Sequence, residues 1–134
     1  MKNCRVTSKN KTYTFKEQRS SLTLENINLV DSTRVQVDGC EINDDGIRCD
    51  FLHLAKDIEM YIELKGQDIP HAISQIERTM KILSSNLQKQ VKVSYIICTR
   101  SPMSSTEIQY YDRQFRRKYN SKLIIKSSPY IDRY

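Results

Sequence analysis

Between residues 59 and 84 the spacing of the apolar side chains changes once, from two to about 3.6, and nothing else in the chain constrains its fold as much. From Glu59 to Lys65, Met60, Ile62 and Leu64 take one face, and Glu63 and Lys65 take the other. That alternation reads as a strand. Gly66 to Asp68 close it, and Pro70 suits the first turn of a helix. Over about 71–84, Ile73, Ile76, Met80 and Leu83 recur at helical spacing, which gives one core-facing stripe. A strand that runs straight into an amphipathic helix predicts an α/β domain.

The flanking residues extend this unit in both directions. In 33–42, Val35 and Val37 point inward against Arg34, Gln36 and Asp38, and Gly39 marks a bulge. Asn43-Asp44-Asp45-Gly46 is a hairpin turn signal, so 47–54 returns antiparallel. Lys56-Asp57 forms a second tight turn into the strand of Glu63, which makes 33–65 a three-stranded meander. After the helix, 91–98 reads as a strand buried on both faces. Ser104 or Ser105 with Glu107 caps a second helix, whose buried side carries Ile108, Tyr111, Phe115 and Tyr119. Residues 123–125 form a last strand before a polar tail. Residues 1–30 are the least legible, an extension with two short strands near 11–15 and 21–29, although Glu17 and Glu25 would equally suit a helical turn. The expected order is β-β-β-α-β-α-β, a single α/β domain over 1–134 with two main helices packed on a mixed sheet.

Composition excludes some classes. No run of 18 apolar residues exists, and the first residues have a positive start without an apolar core, so neither a spanning helix nor a signal peptide is expected. Cys4, Cys40, Cys49 and Cys98 are widely spaced with no C-x-x-C pair, which argues against a zinc ribbon and against a disulfide framework. Cys49 and Cys98 sit in apolar strand runs and are expected as buried free thiols in a reducing cytoplasm. The net charge of +6 is uneven: residues 31–68 hold ten acids and four bases, and the rest of the chain holds six acids and eighteen bases. A basic chain with an acidic middle fits a polyanion-binding protein that holds a cation, and it also fits a solvated surface with unevenly scattered charge.

Asp50, Glu63 and Lys65 are the candidate catalytic residues. Glu63 and Lys65 share one strand face, and either a solvated ion pair or a metal site explains them. Hydrolysis of a phosphodiester needs a cation that neutralises developing charge and acidifies a water. Mg²⁺ does this with one or two carboxylates and several retained waters. Asp50 and Glu63 come into range if adjacent strands pair in near register, which the turn at Lys56-Asp57 allows. Lys65 could then orient the attacking water and stabilise the phosphorane-like transition state.

The pattern Asp50, then Glu63-Leu64-Lys65 on hairpin strands ahead of an amphipathic helix, resembles the PD-(D/E)xK nuclease superfamily with its restriction-endonuclease-like, three-layer core. The resemblance covers residues 33–98. It implies a nuclease acting on DNA in preference to RNA, with Mg²⁺ or Mn²⁺ held by Asp50 and Glu63 and by the Leu64 carbonyl. It also implies a supporting role for Gln75 on the following helix, where a solvated Gln is the plain alternative. Cys49 stands where the family usually has Pro, and the family's first helix, which often supplies a further Glu, is missing unless Glu17 or Glu25 replaces it. The rival reading is a catalytically silent member of the same fold that serves as a binding or docking module in a defence or repair complex. Asp38 and Glu41 could add a carboxylate or lie on a solvated face, and His53 and His71 are expected to be ordinary.

From Arg113 to Lys126 there are six bases and no acid, with Tyr119 among them and Tyr110 and Tyr111 just before. Arg113, Arg116, Arg117 and Lys118 form a candidate phosphate-contacting face, or a solvated helix surface. No base-reading module is visible, so specificity would come from a homodimer or a partner protein.

Overall fold

The β5–β6 hairpin shows how the central sheet is built, because its turn is fixed by two residues. A computed structural model describes residues 3–64, 68–100 and 103–134. Within them β5 (Phe51–Ala55) pairs with β6 (Ile58–Leu64), and Ala55 faces Ile58 across Lys56 and Asp57. Both turn residues have positive φ, 52° and 58°, the type I′ geometry whose twist matches that of the flanking strands. The expected meander is therefore present, with β4 (Ser32–Gln36) antiparallel to β5.

The first two strands are shorter than the alternation predicts. Strand β4 stops at Gln36 because the chain winds into a loop over 37–42, where Ile42 N–H donates to Val37 O at 3.0 Å. Gly39 supplies the φ of 73° that this winding requires. Val37 and Ile42 remain buried, so the apolar pattern reports burial correctly while the backbone has left the ladder. Residues 47–50 are likewise outside β5.

The first helix, α1 (Ile69–Leu83), starts two residues before the expected position, with the Asp68 side chain accepting from His71 N–H at 3.2 Å and Pro70 in the first turn. Its stripe buries Ile73, Ile76 and Met80, each worth about 1.5–3 kcal/mol of removal from water. It leads to β7 (Lys92–Cys98), parallel to β6. The second helix, α2 (Ser105–Tyr119), has Ser104 as its N-cap and Asn120 at φ 54° as its C-cap, and leads to β8 (Ser121–Ser127), parallel to β7. From β4 to β8 the order is the expected β-β-β-α-β-α-β.

Three further strands precede this unit. The N-terminal extension holds β1 (Arg5–Ser8), which pairs with β4, and the hairpin of β2 (Thr12–Glu17) and β3 (Ser20–Glu25). The expected polar tail instead forms β9 (Tyr130–Arg133), parallel to β3. The result is a mixed six-stranded sheet, β1-β4-β5-β6-β7-β8, and a three-stranded sheet, β2-β3-β9. Leu52, Tyr61 and Ile96 face the helices in one core, while Met60, Ile62 and Tyr95 meet Phe15 and Leu22 of the small sheet in a second. The layers run helices, large sheet, small sheet.

Cys4 and Cys40 are joined in a disulfide with 5.7 Å between their Cα atoms, contrary to the expectation of no disulfide. Pairing of β1 with β4 brings the two cysteines together across 36 residues, and that pairing is invisible in their spacing. Cys49 and Cys98 are free and buried, as expected. Among the described residues no helix is long and apolar enough to cross a membrane.

Candidate active site

Strand β6 carries Glu63 one residue from its end, on the face that Tyr61 presents to the helices, and only 7 % of Glu63 is exposed. Phe51 pairs with Ile62 as the last pair of the ladder, and Asp50 lies just beyond it, at the same end of the sheet as Glu63. Asp50 N–H donates to Ile62 O at 3.1 Å, so Asp50 and Phe51 both lie against Ile62, the two-against-one arrangement of a bulge that ends the regular ladder. The Asp50 carboxylate turns toward β6, where Oδ2 accepts from Leu64 N–H at 2.8 Å. The Cys49 thiol lies against both acids: burial pushes it up to about 12, and the charges of Glu63 and Asp50 add to that shift. Lys65, the third expected catalytic residue, lies outside the described residues.

Three side chains on one border of α1 fix the irregular segment that delivers Asp50. Gln75 Nε2 donates to Arg48 O at 3.0 Å, and Thr79 Oγ1 accepts from Cys49 N–H at 2.9 Å. Arg78 donates to Ile47 O and forms an ion pair with Asp44 at 2.7 Å. Gly46 gives the Arg78 guanidinium room, since a Cβ there would collide with it. This ion pair and the Gly46 N–H draw the Asp44 carboxyl down to about 2. Gln75 thus holds the backbone two residues before Asp50. Arg78 and Thr79 were not singled out in the sequence. Their signal is positional: 75, 78 and 79 follow i, i+3, i+4 spacing beside the apolar stripe.

The remaining candidates stand apart from the acid pair. Asp38 pairs with Arg48 at 3.0 Å and Glu41 pairs with Arg5, so both are committed to exposed ion pairs beside the disulfide. Glu17 and Glu25 belong to the small sheet, behind the face that carries Asp50 and Glu63, and Glu25 pairs with Arg133 at 3.6 Å. Neither replaces the missing N-terminal Glu on the acid-bearing face. His71 is an exposed residue of the first turn of α1. His53 is fully buried between the two sheets, with Nε2 at 2.9 Å from the Tyr134 hydroxyl and the Tyr13 ring centroid at 4.6 Å. Burial, assisted by the Arg34 charge, lowers its pKa to about 4, so it is a neutral core residue.

The basic residues of α2 are far from the acids. Arg113, Arg116, Arg117 and Lys118 are exposed, and the last three occupy the final turn beside Asn120. That turn adjoins the start of β8, which pairs with the start of β7 at Lys92, whereas Asp50 and Glu63 lie where β6 ends. Lys92 is level with Glu59, so four residues of β6 separate the two regions, about 13 Å along the strand. Arg116 pairs with Asp112 at 3.0 Å and Arg117 donates to Gln114 at 2.9 Å, and cations here favour the negative end of the helix dipole.

Among the described residues no group of three or more His, Cys, Asp or Glu side chains is placed to hold a metal ion. No family model, curated protein or solved structure matches the chain.

Proposed function

We propose that the chain is a metal-dependent phosphodiester hydrolase of the PD-(D/E)xK kind, acting on DNA in preference to RNA at Asp50, Glu63 and Lys65. The observation that supports this reading is that Asp50 and Glu63 share one end of the sheet, where both charges act on the Cys49 thiol and Asp50 Oδ2 accepts from Leu64 N–H. The order of elements from β4 to β8 supports it. The layer behind the sheet is β2-β3-β9 where a helix would be expected, which is a departure from the family pattern.

The donor set fits a hard cation. Asp50 and Glu63 offer carboxylate oxygens, the Leu64 carbonyl adjoins them in sequence, and Mg²⁺ or Mn²⁺ needs only one or two carboxylates beside its own waters. When bound, such an ion supplies charge neutralisation and a more acidic water. The chain's own part is to hold the acids at fixed spacing through the α1 clamp and to bring the Lys65 ammonium to the attacking water and the phosphate oxygens. The exposed bases Arg113, Arg116, Arg117 and Lys118 would hold the polymer without reading its sequence, engaging phosphates away from the cut. A homodimer or partner protein would add specificity. The expected cytoplasmic setting would hold Cys4 and Cys40 as thiols, so counting free thiols in freshly isolated protein tests it.

A second reading, the silent binding or docking module, is favoured by one contact. Asp50 Oδ2 is occupied by the Leu64 amide, a structural role that needs no metal. Cleavage of supercoiled plasmid, linear duplex and single strands with Mg²⁺ or Mn²⁺, beside Glu63→Gln and Lys65→Ala, separates the two. Cutting by the wild type that both substitutions reduce by roughly 100-fold or more establishes the hydrolase. Salt-sensitive binding without cutting establishes the module.

A further inference from the structure

The large sheet ends at β8, and the hydrogen bonds around that strand show which of its backbone groups point outward. Lys92 N–H donates to Asn120 O, and Ser128 N–H donates to Cys98 O. Even-numbered residues along β8 therefore turn their backbone groups to β7, and odd-numbered residues turn theirs to the outer edge. Asp112 Oδ1 takes the outward Leu123 N–H at 2.9 Å. Ile125 is the next outward residue, and no strand among the described residues pairs with this side. A groove of about 510 Å³ runs along the edge, between Ile108 and Gln109 of α2 and Tyr130 and Asp132 of β9, with Lys122 and Lys126 on its rim. Its volume falls within the usual range for ligand sites, about 300–1,000 Å³.

Charge selects the occupant. Among the described residues neither Lys122 nor Lys126 has an ion-pair partner, and Lys126 instead lies 6.0 Å from the Tyr130 ring centroid. The acids nearby are already engaged: Asp132 accepts from the Tyr95 hydroxyl at 2.8 Å, and Asp112 pairs with Arg116. Lysines on an edge strand discourage pairing with like-charged strands. Two copies of β8 paired antiparallel about Ile124 would set Lys122 against Lys126 twice, a destabilising arrangement. The same lysines attract a strand with acids at matching positions.

We propose that the outer edge of β8 is a docking site for an extended acidic segment of a partner protein, added as a seventh, antiparallel strand. The backbone groups of Ile125 supply the main-chain hydrogen bonds. Three consecutive apolar partner residues lie opposite Leu123, Ile124 and Ile125, and acids four residues apart meet Lys126 and Lys122. This site is separate from Asp50 and Glu63 and independent of their chemistry.

The test uses the intact chain and a fluorescein-labelled peptide containing Glu-Val-Val-Val-Glu between Ser-Gly flanks. Binding is read by anisotropy, and amide hydrogen exchange is read residue by residue. The expected result is saturable binding that slows exchange at the Ile125 amide about tenfold and leaves Leu123, already bonded to Asp112, unchanged. Replacing both Glu by Lys in the peptide, or combining Lys122→Glu with Lys126→Glu in the protein, weakens binding about tenfold. A peptide N-methylated on the residue facing Ile125 loses binding with the protein untouched, so the result does not depend on a variant folding. Three outcomes overturn the proposal: no binding; binding that leaves Ile125 exchange unchanged; or Ile125 protection that arises from self-association or from an oligonucleotide instead.

Discussion

Glu59 and Glu63 lie four residues apart on one face of one strand, 6 % and 7 % exposed, yet the two ends of β6 treat them oppositely. At the start of the strand Glu59 is wrapped in neutral donors: the Tyr61 and Ser84 hydroxyls at 2.9 and 2.7 Å and the Ser85 N–H at 2.9 Å. Beside it the buried Lys92 ammonium donates to the carbonyls of Asn86, Leu87, Gln90 and Tyr119 at 2.8–3.0 Å, which ties the loop after α1 to the end of α2. At the exit end Glu63 has a second carboxylate, Asp50, nearby, and order there comes from outside the strand, through the α1 clamp and the Cys4–Cys40 disulfide. The start of the strand satisfies its charge for stability. The exit keeps two acids, Asp50 and Glu63, within electrostatic reach of one buried thiol, and on the proposed reading they are there to hold a cation.

The largest expected effect is on the exit end. Cys4→Ser combined with Cys40→Ser frees a 36-residue loop and lowers unfolding free energy by about 4 kcal/mol, read as a shift of the urea midpoint. A loss under about 1 kcal/mol would mean that the exit end stands without its covalent tie. Next, Lys92→Met leaves one buried and three partly buried carbonyls without their donor at the start end and costs about 3 kcal/mol, measured in the same way. Smallest and sharpest is the pair Glu59→Gln and Glu63→Gln. The first loses charge-assisted bonds worth about 2 kcal/mol in all, while the second trades one charge beside Asp50 for an amide and shifts stability by less than about 1 kcal/mol. Equal losses from the two variants would erase the distinction drawn between the ends.

Much of this arrangement was legible from residue spacing. The period of two fixed the face of Glu63, and the Lys56-Asp57 turn fixed the register of the hairpin as far as Phe51 and Ile62. The helical stripe of α1 emerged with its Pro70 start. What stayed hidden depends on pairings distant in sequence. Strand β1 has only four exposed or half-exposed residues and no apolar alternation, so neither it nor the disulfide it creates could be read. Strand β9 looked like a polar tail because its order comes from parallel pairing with β3, about 108 residues earlier. The loop over 37–42 kept its apolar spacing while leaving the ladder, which is why β4 was drawn too long. The bases of α2 were correctly placed on an exposed helix face, but the parallel β7–β8 pairing that carries them to the far end of the sheet is a tertiary fact.

The buried Cys49 thiol has one more consequence. With its pKa pushed up to about 12 by burial, the thiol stays protonated at neutral pH, and the side chain is fully buried beside the backbone that Thr79 holds. Alkylation of Cys49 therefore waits for the clamp from α1 to lift away from residues 47–49, and its rate under native conditions times that opening. The molecule carries, one bond from its candidate metal ligand, a stopwatch for the breathing of its own site.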